Sequence, residues 1–146
     1  MAAWVRYLRG HATLMRELNA ELVNEHGLTI NDYEVLLHLS HAEQRAMRRV
    51  DLANQVLLTA SGITRLLDGL ERAGWVCKRH CDSDARVTYA VLTDAGYEKL
   101  REASDFHIQG IRRAFAAHYT EAELGILADL LSRLGGSDDG STCSAG

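Results

Sequence analysis

The sequence predicts a mainly α-helical fold that contains one small β-hairpin. Apolar side chains recur at steps of three and four along most of the chain, which is the spacing of one helix face. The chain contains no proline, so long unbroken helices are permitted. Two runs, 75–79 and 87–92, are rich in strand-forming residues, and a polar segment separates them. We therefore expect an antiparallel hairpin with a charged tip within a helical protein.

Composition indicates one globular domain. The chain has 146 residues, of which 47% are hydrophobic and 25% charged, enough apolar material for a core. Its three cysteines, Cys77, Cys81 and Cys143, are too few and odd in number for a disulfide framework. The sequence offers neither an apolar run long enough to span a membrane nor a signal-peptide pattern. We therefore expect a cytoplasmic protein without a membrane partner.

Two amphipathic helices are predicted in the first part of the chain. Residues 4–22 place apolar side chains on one face, and Gly27 follows as a C-terminal cap. Thr29 supplies the N-cap oxygen of the next helix, and Asp32 completes a variant of the capping box. The predicted buried face of this second helix consists of Tyr33, Val35, Leu36 and Leu37. The polar segment 42–48 is predicted to be a connection.

Two further helices are predicted on either side of a short turn. The first is a short, poorly capped helix that carries Val50, Leu52, Ala53 and Val56. Residues 57–59 form the turn, and Thr59 is the N-cap of a strongly amphipathic helix over 61–73 that Gly74 ends. The inward-facing residues of that helix are Ile63, Leu66, Leu67 and Leu70. This pair has the dimensions of a helix-turn-helix, whose second helix enters the major groove of DNA.

The last part of the chain is predicted to contain two helices. Thr93 caps a long helix that runs to about His118, and Thr120 with Glu123 forms a capping box for the last helix. Residues 136–146 are small and polar and are expected to form a disordered tail. The first and last helices carry apolar stripes that a small core cannot cover. A second copy of the chain would bury the excess, although packing within one chain is the alternative.

Charge is distributed unevenly along the chain. The formal net charge of −4 argues, taken alone, against a nucleic-acid partner. Residues 45–89, however, hold eight basic and five acidic side chains, whereas the remainder holds eight and fifteen. A basic middle within an acidic chain predicts that one surface meets an anion.

Candidate DNA contacts lie on the second helix of the pair and on the hairpin. Residues at the start of that helix are small or carry donors, and Arg65 can form two hydrogen bonds with a guanine. Basic side chains of the hairpin suit phosphates or a minor groove. The predicted DNA-binding residues are Ser61, Gly62, Thr64, Arg65, Arg72, Lys78, Arg79, Asp84 and Arg86. The alternative is that these are solvated charges on an ordinary helix and hairpin.

Several short motifs occur in a recognisable order. They are LTINDYEVL at 28–36, DLA at 51–53, SGITRLLD at 61–68, LERAG at 70–74, DAR at 84–86 and VLTDAG at 91–96. Over roughly residues 4–134 the chain resembles the MarR (multiple antibiotic resistance regulator) family of bacterial winged-helix repressors. Gly69 is a departure, because the family often has arginine there, and one phosphate contact is therefore in doubt.

The resemblance implies a winged helix-turn-helix at 28–93, flanked by dimerisation helices at 1–27 and 94–135. It implies a homodimer that binds double-stranded DNA at a pseudo-palindromic operator and is released by a small ligand or an oxidant. By position, Ser61, Thr64 and Arg65 would lie in the major groove. Arg86 would enter the minor groove from the wing. Asp84 would orient it, since a carboxylate two residues from an arginine can fix the guanidinium.

Three means of sensing remain open. The resemblance implies an aromatic or phenolic acid effector, for which Trp4, His11, Tyr33 and Glu34 are candidates, although aromatic residues at this spacing are more often core. Cys77 and Cys81 are a candidate redox pair, because neighbouring cations lower a thiol pKa. A metal site is disfavoured, because these cysteines and His80 give three ligands where a structural zinc site usually needs four. We predict no resident cofactor and no metal.

The sequence does not favour an enzyme. It lacks a nucleophile elbow, a phosphate-binding glycine loop and a His-Glu-x-x-His motif. The Cys-x₃-Cys spacing and the lack of proline also fail the zinc deaminase signature. A winged-helix module that binds protein rather than DNA is the remaining alternative, and the basic side chains of the hairpin argue against it.

Overall fold

The computed structural model describes residues 1–80 and 87–134. Within them the elements are α1 (Ala2–His26), α2 (Ile30–His41), a 3-10 helix (Glu43–Arg45), β1 (Ala46–Arg48), α3 (Arg49–Gln55), α4 (Ala60–Arg72), β2 (Val76–His80), β3 (Thr88–Leu92), α5 (Asp94–Ala116) and α6 (Glu121–Ser132). The predicted mainly α-helical fold with a small hairpin is confirmed. The predicted tail lies outside the described residues. No helix in the described ranges is both long and apolar enough to cross a bilayer.

The predicted caps at Gly27, Thr29 and Thr120 are confirmed. Such caps can be predicted because each bonds to a residue a few positions away. Gly27 ends α1 with a φ of +67°, and its N–H donates to the Val23 carbonyl over 2.9 Å. The Asp32 N–H donates to Thr29 Oγ1 over 3.1 Å, and the Thr29 N–H donates to the Asp32 carboxylate over 2.9 Å. The same reciprocal pair joins Thr120 and Glu123 at the start of α6, and the hydrogen bonds from Thr120 lower the pKa of Glu123.

The chain divides into two compact units, residues 1–110 and the residues from 111 onward. The core of the first unit draws on every helix from α1 to α5 and on the sheet. Its most deeply buried large side chains are Leu22, Leu28, Val35, Leu36, Leu39, Leu52, Ile63, Leu67 and Val76. The prediction placed Leu37 on the buried face of α2, but Leu37 is only half-buried and Leu39 is buried instead. Leu66 of α4 is also only half-buried.

The sheet has three strands, in the order β1-β3-β2. The β2–β3 hairpin is antiparallel, as predicted, and pairs Cys77 with Val91. The prediction that 42–48 is only a connection is wrong for 46–48, because β1 pairs with the other edge of β3. Gln44 and Arg45 have φ values of 54° and 52° and turn the chain into this strand. A strand of three residues carries too little periodicity to be seen in the sequence.

The turn before β1 is fastened to the start of α5. Arg45 Nη1 lies 3.1 Å from Asp94 Oδ1, and the guanidinium lies 4.2 Å from the centroid of the Tyr97 ring. A positive φ is costly for a residue with a side chain. The ion pair and the cation–π contact therefore stabilise a backbone turn that arginine does not favour by itself.

Thr93 and Gly96 join α5 to the turn that follows α4. Thr93 Oγ1 donates to the Gly74 carbonyl over 2.7 Å and accepts from the Gly96 N–H over 3.0 Å. A Cβ on Gly96 would overlap the carbonyl oxygen of Trp75. Glycine is therefore required at this contact, since backbone meets backbone with no room for a methyl group.

We predict that Gly96→Ala destabilises the protein by about 3 kcal/mol, because the added methyl group must displace backbone. Gly69→Ala is the matched control, because a Cβ on Gly69 would meet nothing within 4 Å. The control should raise stability by about 0.5–1 kcal/mol through helix propensity. Urea denaturation followed by circular dichroism measures both. Unchanged stability of Gly96→Ala would contradict the close approach.

Candidate nucleic-acid interface

The two middle helices form the predicted helix-turn-helix. The Leu58 N–H donates to the Ala53 carbonyl over 2.9 Å, and Leu57 turns the chain with a φ of 54°. Thr59 is the N-cap of α4, and its Oγ1 accepts from the Gly62 N–H over 3.1 Å. The start of α3 is poorly capped, as predicted, because Arg48 makes no side-chain capping bond. The turn at Leu57 and Leu58 and the N-cap on Thr59 place the inner face of α4 against the core.

The outer face of α4 carries the candidate contact residues. Ser61 and Arg65 are exposed, whereas Gly62 and Thr64 are half-buried. Arg65 has no hydrogen-bond or ion-pair partner among the described residues, so its guanidinium donors are free. A Cβ on Gly62 would lie 3.1 Å from Thr59 Oγ1, so the small residue also serves the N-cap.

Lys78 is not a free cation. Its ammonium forms a short ion pair with Asp68 and lies 2.9 Å from Glu71 Oε2, both on α4. The hydrogen bonds to these carboxylates raise the pKa of Lys78, and the bond from Lys78 lowers the pKa of Asp68. Lys78 therefore fastens β2 to α4 and neutralises acidic groups on that helix.

The other predicted basic residues differ in how free they are. Arg72 Nε donates to the Asp68 carbonyl over 3.2 Å within α4, and the side chain is exposed. Arg79 is exposed on β2, with its guanidinium 5.7 Å from the centroid of the Tyr89 ring. Asp84 and Arg86 lie outside the described residues, so their placement in the wing stays a prediction.

One basic residue beside α4 was not among the predicted contacts. Arg49 of α3 is exposed, and its Nη1 lies 3.4 Å from Thr64 Oγ1. The sequence shows only that Arg49 belongs to the basic segment. No local pattern links residues 49 and 64, because their contact depends on how α3 packs against α4.

The four candidate effector residues have different surroundings. Trp4 and His11 are exposed on α1, Glu34 is half-buried, and Tyr33 is buried. The Tyr33 hydroxyl lies 3.2 Å from Ser104 Oγ, and the centroids of the Tyr33 and His107 rings lie 4.8 Å apart. None of the four lines either of two surface depressions in the described chain, one between α1 and α2 and one between α3 and β3. The core alternative for Tyr33 therefore agrees with its burial, and the effector role stays a prediction.

The candidate redox and metal residues can be placed only in part. Cys77 is a free, exposed thiol on β2, whereas Cys81 lies outside the described residues. The redox pair thus remains a prediction. In the ranges that the structure describes, no group of three His, Cys, Asp or Glu side chains is arranged to hold a metal ion.

We predict that His107 makes the stability depend on pH. Burial against Tyr33 lowers the pKa of His107, an effect that Glu21 partly opposes. Between this lowered pKa and the unfolded value of about 6.5, the unfolded state binds more protons. Stability should therefore rise with pH in that window and fall on acidification.

His107→Gln should flatten this part of the stability curve, below about pH 6.5. His11→Gln, which replaces an exposed histidine, is the control and should keep the slope of the parent protein. Urea denaturation at each pH gives the slopes. An identical slope in the parent and in His107→Gln would contradict the burial of this imidazole.

Comparison with known proteins supports the assignment. A family model described as transcriptional regulator SarA/Rot matches residues 17–103. AbsC, a MarR family transcriptional regulator from Streptomyces coelicolor, is 32% identical with a TM-score of 0.79, covering 91% of this chain and 89% of that one. Sco3205, a MarR family regulator from the same organism solved in complex with DNA, is 28% identical with a TM-score of 0.82, covering 91% and 83%.

Curated relatives agree in kind. The HTH-type transcriptional repressor YetL of Bacillus subtilis (strain 168) is 32% identical over 112 residues, which are 74% of this chain. The matches span 66% and 64% of the length of the first two curated relatives, just under two thirds. The predicted class, a transcriptional regulator, is confirmed by the family model and by AbsC. The chain belongs to the MarR family of winged-helix transcriptional regulators, and its middle matches the SarA/Rot model.

Proposed function

We propose that this protein is a DNA-binding repressor that acts in the cytoplasm as a homodimer on a pseudo-palindromic operator. The observation that carries the proposal is the exposed guanidinium of Arg65 on the outer face of α4, opposite the buried Ile63 and Leu67. That is the placement a major-groove helix requires. The DNA complex of Sco3205 and the repressor name of YetL support the same reading.

Local charge explains how an acidic protein would bind DNA. The exposed arginines around α4 are Arg49, Arg65, Arg72 and Arg79. The carboxylates of Asp68 and Glu71 on the same helix are engaged by Lys78, so their repulsion of phosphate is reduced. The acidic excess of the protein lies outside residues 45–89, where fifteen acidic side chains face eight basic ones.

Exposed apolar side chains support the homodimer. The start of α1 exposes Trp4, Val5, Tyr7 and Leu8. In the second unit, α6 exposes Ile126, Leu130 and Leu131, followed by Leu134. Apolar stripes of this kind are typical of a surface that another protein covers. We propose that 1–27 and 94–135 pair with a second copy, which would set two α4 helices about 34 Å apart, one turn of DNA.

For the signal that relieves repression, we propose a small aromatic or phenolic acid. The exposed ring of Trp4 and the exposed His11, about two turns further along α1, suit a planar acid. A redox signal through Cys77 is less well supported, because Lys78 is engaged by two carboxylates and its charge is not free to activate the thiol.

We predict that Arg65→Ala weakens operator binding roughly 5- to 150-fold and relaxes base preference at one position of each half-site, since a bidentate contact with guanine contributes about 1–3 kcal/mol. Arg65→Lys should keep the salt dependence but lose the same preference, because lysine lacks the forked donors. Fluorescence anisotropy on a duplex selected from a random pool measures both.

Lys78→Gln is the contrast for this experiment: it releases the Asp68 and Glu71 carboxylates, so binding should weaken on every sequence while the base preference at each position is kept. Unchanged affinity and base preference in Arg65→Ala would refute the placement of α4 in the groove.

A further inference from the structure

Two adjacent arginines at the start of α3 have different environments. Arg48 donates from two nitrogens to the Asp51 carboxylate, over 2.6 Å and 3.0 Å. Its charge is therefore met by a carboxylate in the first turn of α3. Arg49 is exposed, and its only hydrogen bond in the described part of the chain reaches Thr64 on α4 over 3.4 Å. Arg49 thus lies alongside the helix proposed to enter the major groove.

The single donor of the Thr64 hydroxyl is occupied in this arrangement. Its single proton is donated to the Ala60 carbonyl over 2.8 Å, so only its lone pairs remain for Arg49. While both bonds persist, Thr64 cannot donate to a base or a phosphate, and it offers DNA its methyl group. Arg49, in contrast, commits one of its five donors to a long and therefore weak bond.

Arg49 also lines a concave surface. A cleft of about 110 Å³ lies between the start of α3 and the start of β3, and its lining residues are Arg48, Arg49, Val50, Val87 and Thr88. No acidic side chain is among these lining residues, and Asp51 is turned toward Arg48. Arg48 is paired with Asp51, so the positive charge that this cleft offers without a described carboxylate partner is that of Arg49.

We propose that Arg49 binds a backbone phosphate of the operator beside the groove that α4 enters, and that Thr64 positions Arg49 for this contact. The inference rests on the proposed function. A guanidinium pairs with phosphate oxygens through two parallel hydrogen bonds, which are stronger than its bond to a neutral hydroxyl. Phosphate contacts fix register without reading sequence, so Arg49 sets the position of α4, and Thr64 donates no hydrogen bond to a base.

The matched variants are Arg49→Gln and Arg48→Gln, measured by anisotropy over a range of salt on the selected operator and on a scrambled duplex. Arg49→Gln should weaken binding to both duplexes by a similar factor, roughly tenfold, and should lower the salt slope by about one unit. Arg48→Gln should leave the slope unchanged.

Thr64→Val should keep both slope and base preference and weaken binding only a few-fold. Circular dichroism checks that each variant folds, and Arg49→Lys should restore the slope if the glutamine variant does not fold.

The outcomes separate this inference from the proposed function. Tight binding by the parent protein, with equal slopes in Arg49→Gln and Arg48→Gln, would overturn the role of Arg49 and leave the proposed function standing. A loss of base preference in Arg49→Gln at constant slope would overturn the phosphate contact in favour of a base contact. Sequence-blind, weak binding by the parent protein would overturn both proposals.

Discussion

The burial of one face of α4 is the constraint on which the interface depends. Ile63, Leu67 and Leu70 are almost inaccessible to solvent, at 1–2% exposure each. A helix advances 100° per residue, so fixing this inner face also fixes which residues face outward. The side chain of Arg65 therefore points to solvent. The turn, the N-cap on Thr59 and the sheet behind the helix all serve to seat that buried face.

Electrostatics refine what the buried face sets up. The chain places two acidic residues, Asp68 and Glu71, on the helix that is proposed to meet DNA. Lys78 reaches across from β2 and engages both, which joins the hairpin to the helix and suppresses a repulsive charge at the same time. Arg48 and Arg49 show the same division of roles, since Arg48 is paired with a carboxylate in the first turn of α3 and Arg49 is left to face outward. In both cases the carboxylate partners of a basic side chain decide whether it is available to bind DNA.

Most of the helical architecture could be predicted from the sequence, because its signals lie within a few residues of one another. Gly27, Thr29 and Thr120 act through bonds to residues at most four positions away. The edge strand 46–48 could not be predicted, because it exists only through pairing with 89–91.

The candidate site, like the fold, could be predicted only where its signals are local. The outer face of α4 follows from periodicity, whereas the pairing of Lys78 with Asp68 and the contact of Arg49 with Thr64 join different elements and need the packed structure. Leu39 displaced Leu37 from the core for a related reason, because the direction of the α2 face is set by the elements packed on it.

We propose that α4 of each subunit enters a major groove and contacts guanine edges. Methylation protection of guanine N7 on the selected operator tests this most directly, since that atom lies in the major groove. We expect two clusters of protected guanines about one helical turn apart, with protection lost at one guanine per half-site in Arg65→Ala. A bound complex in which guanine N7 remains fully reactive, or in which protection is unaffected by Arg65→Ala, would contradict it.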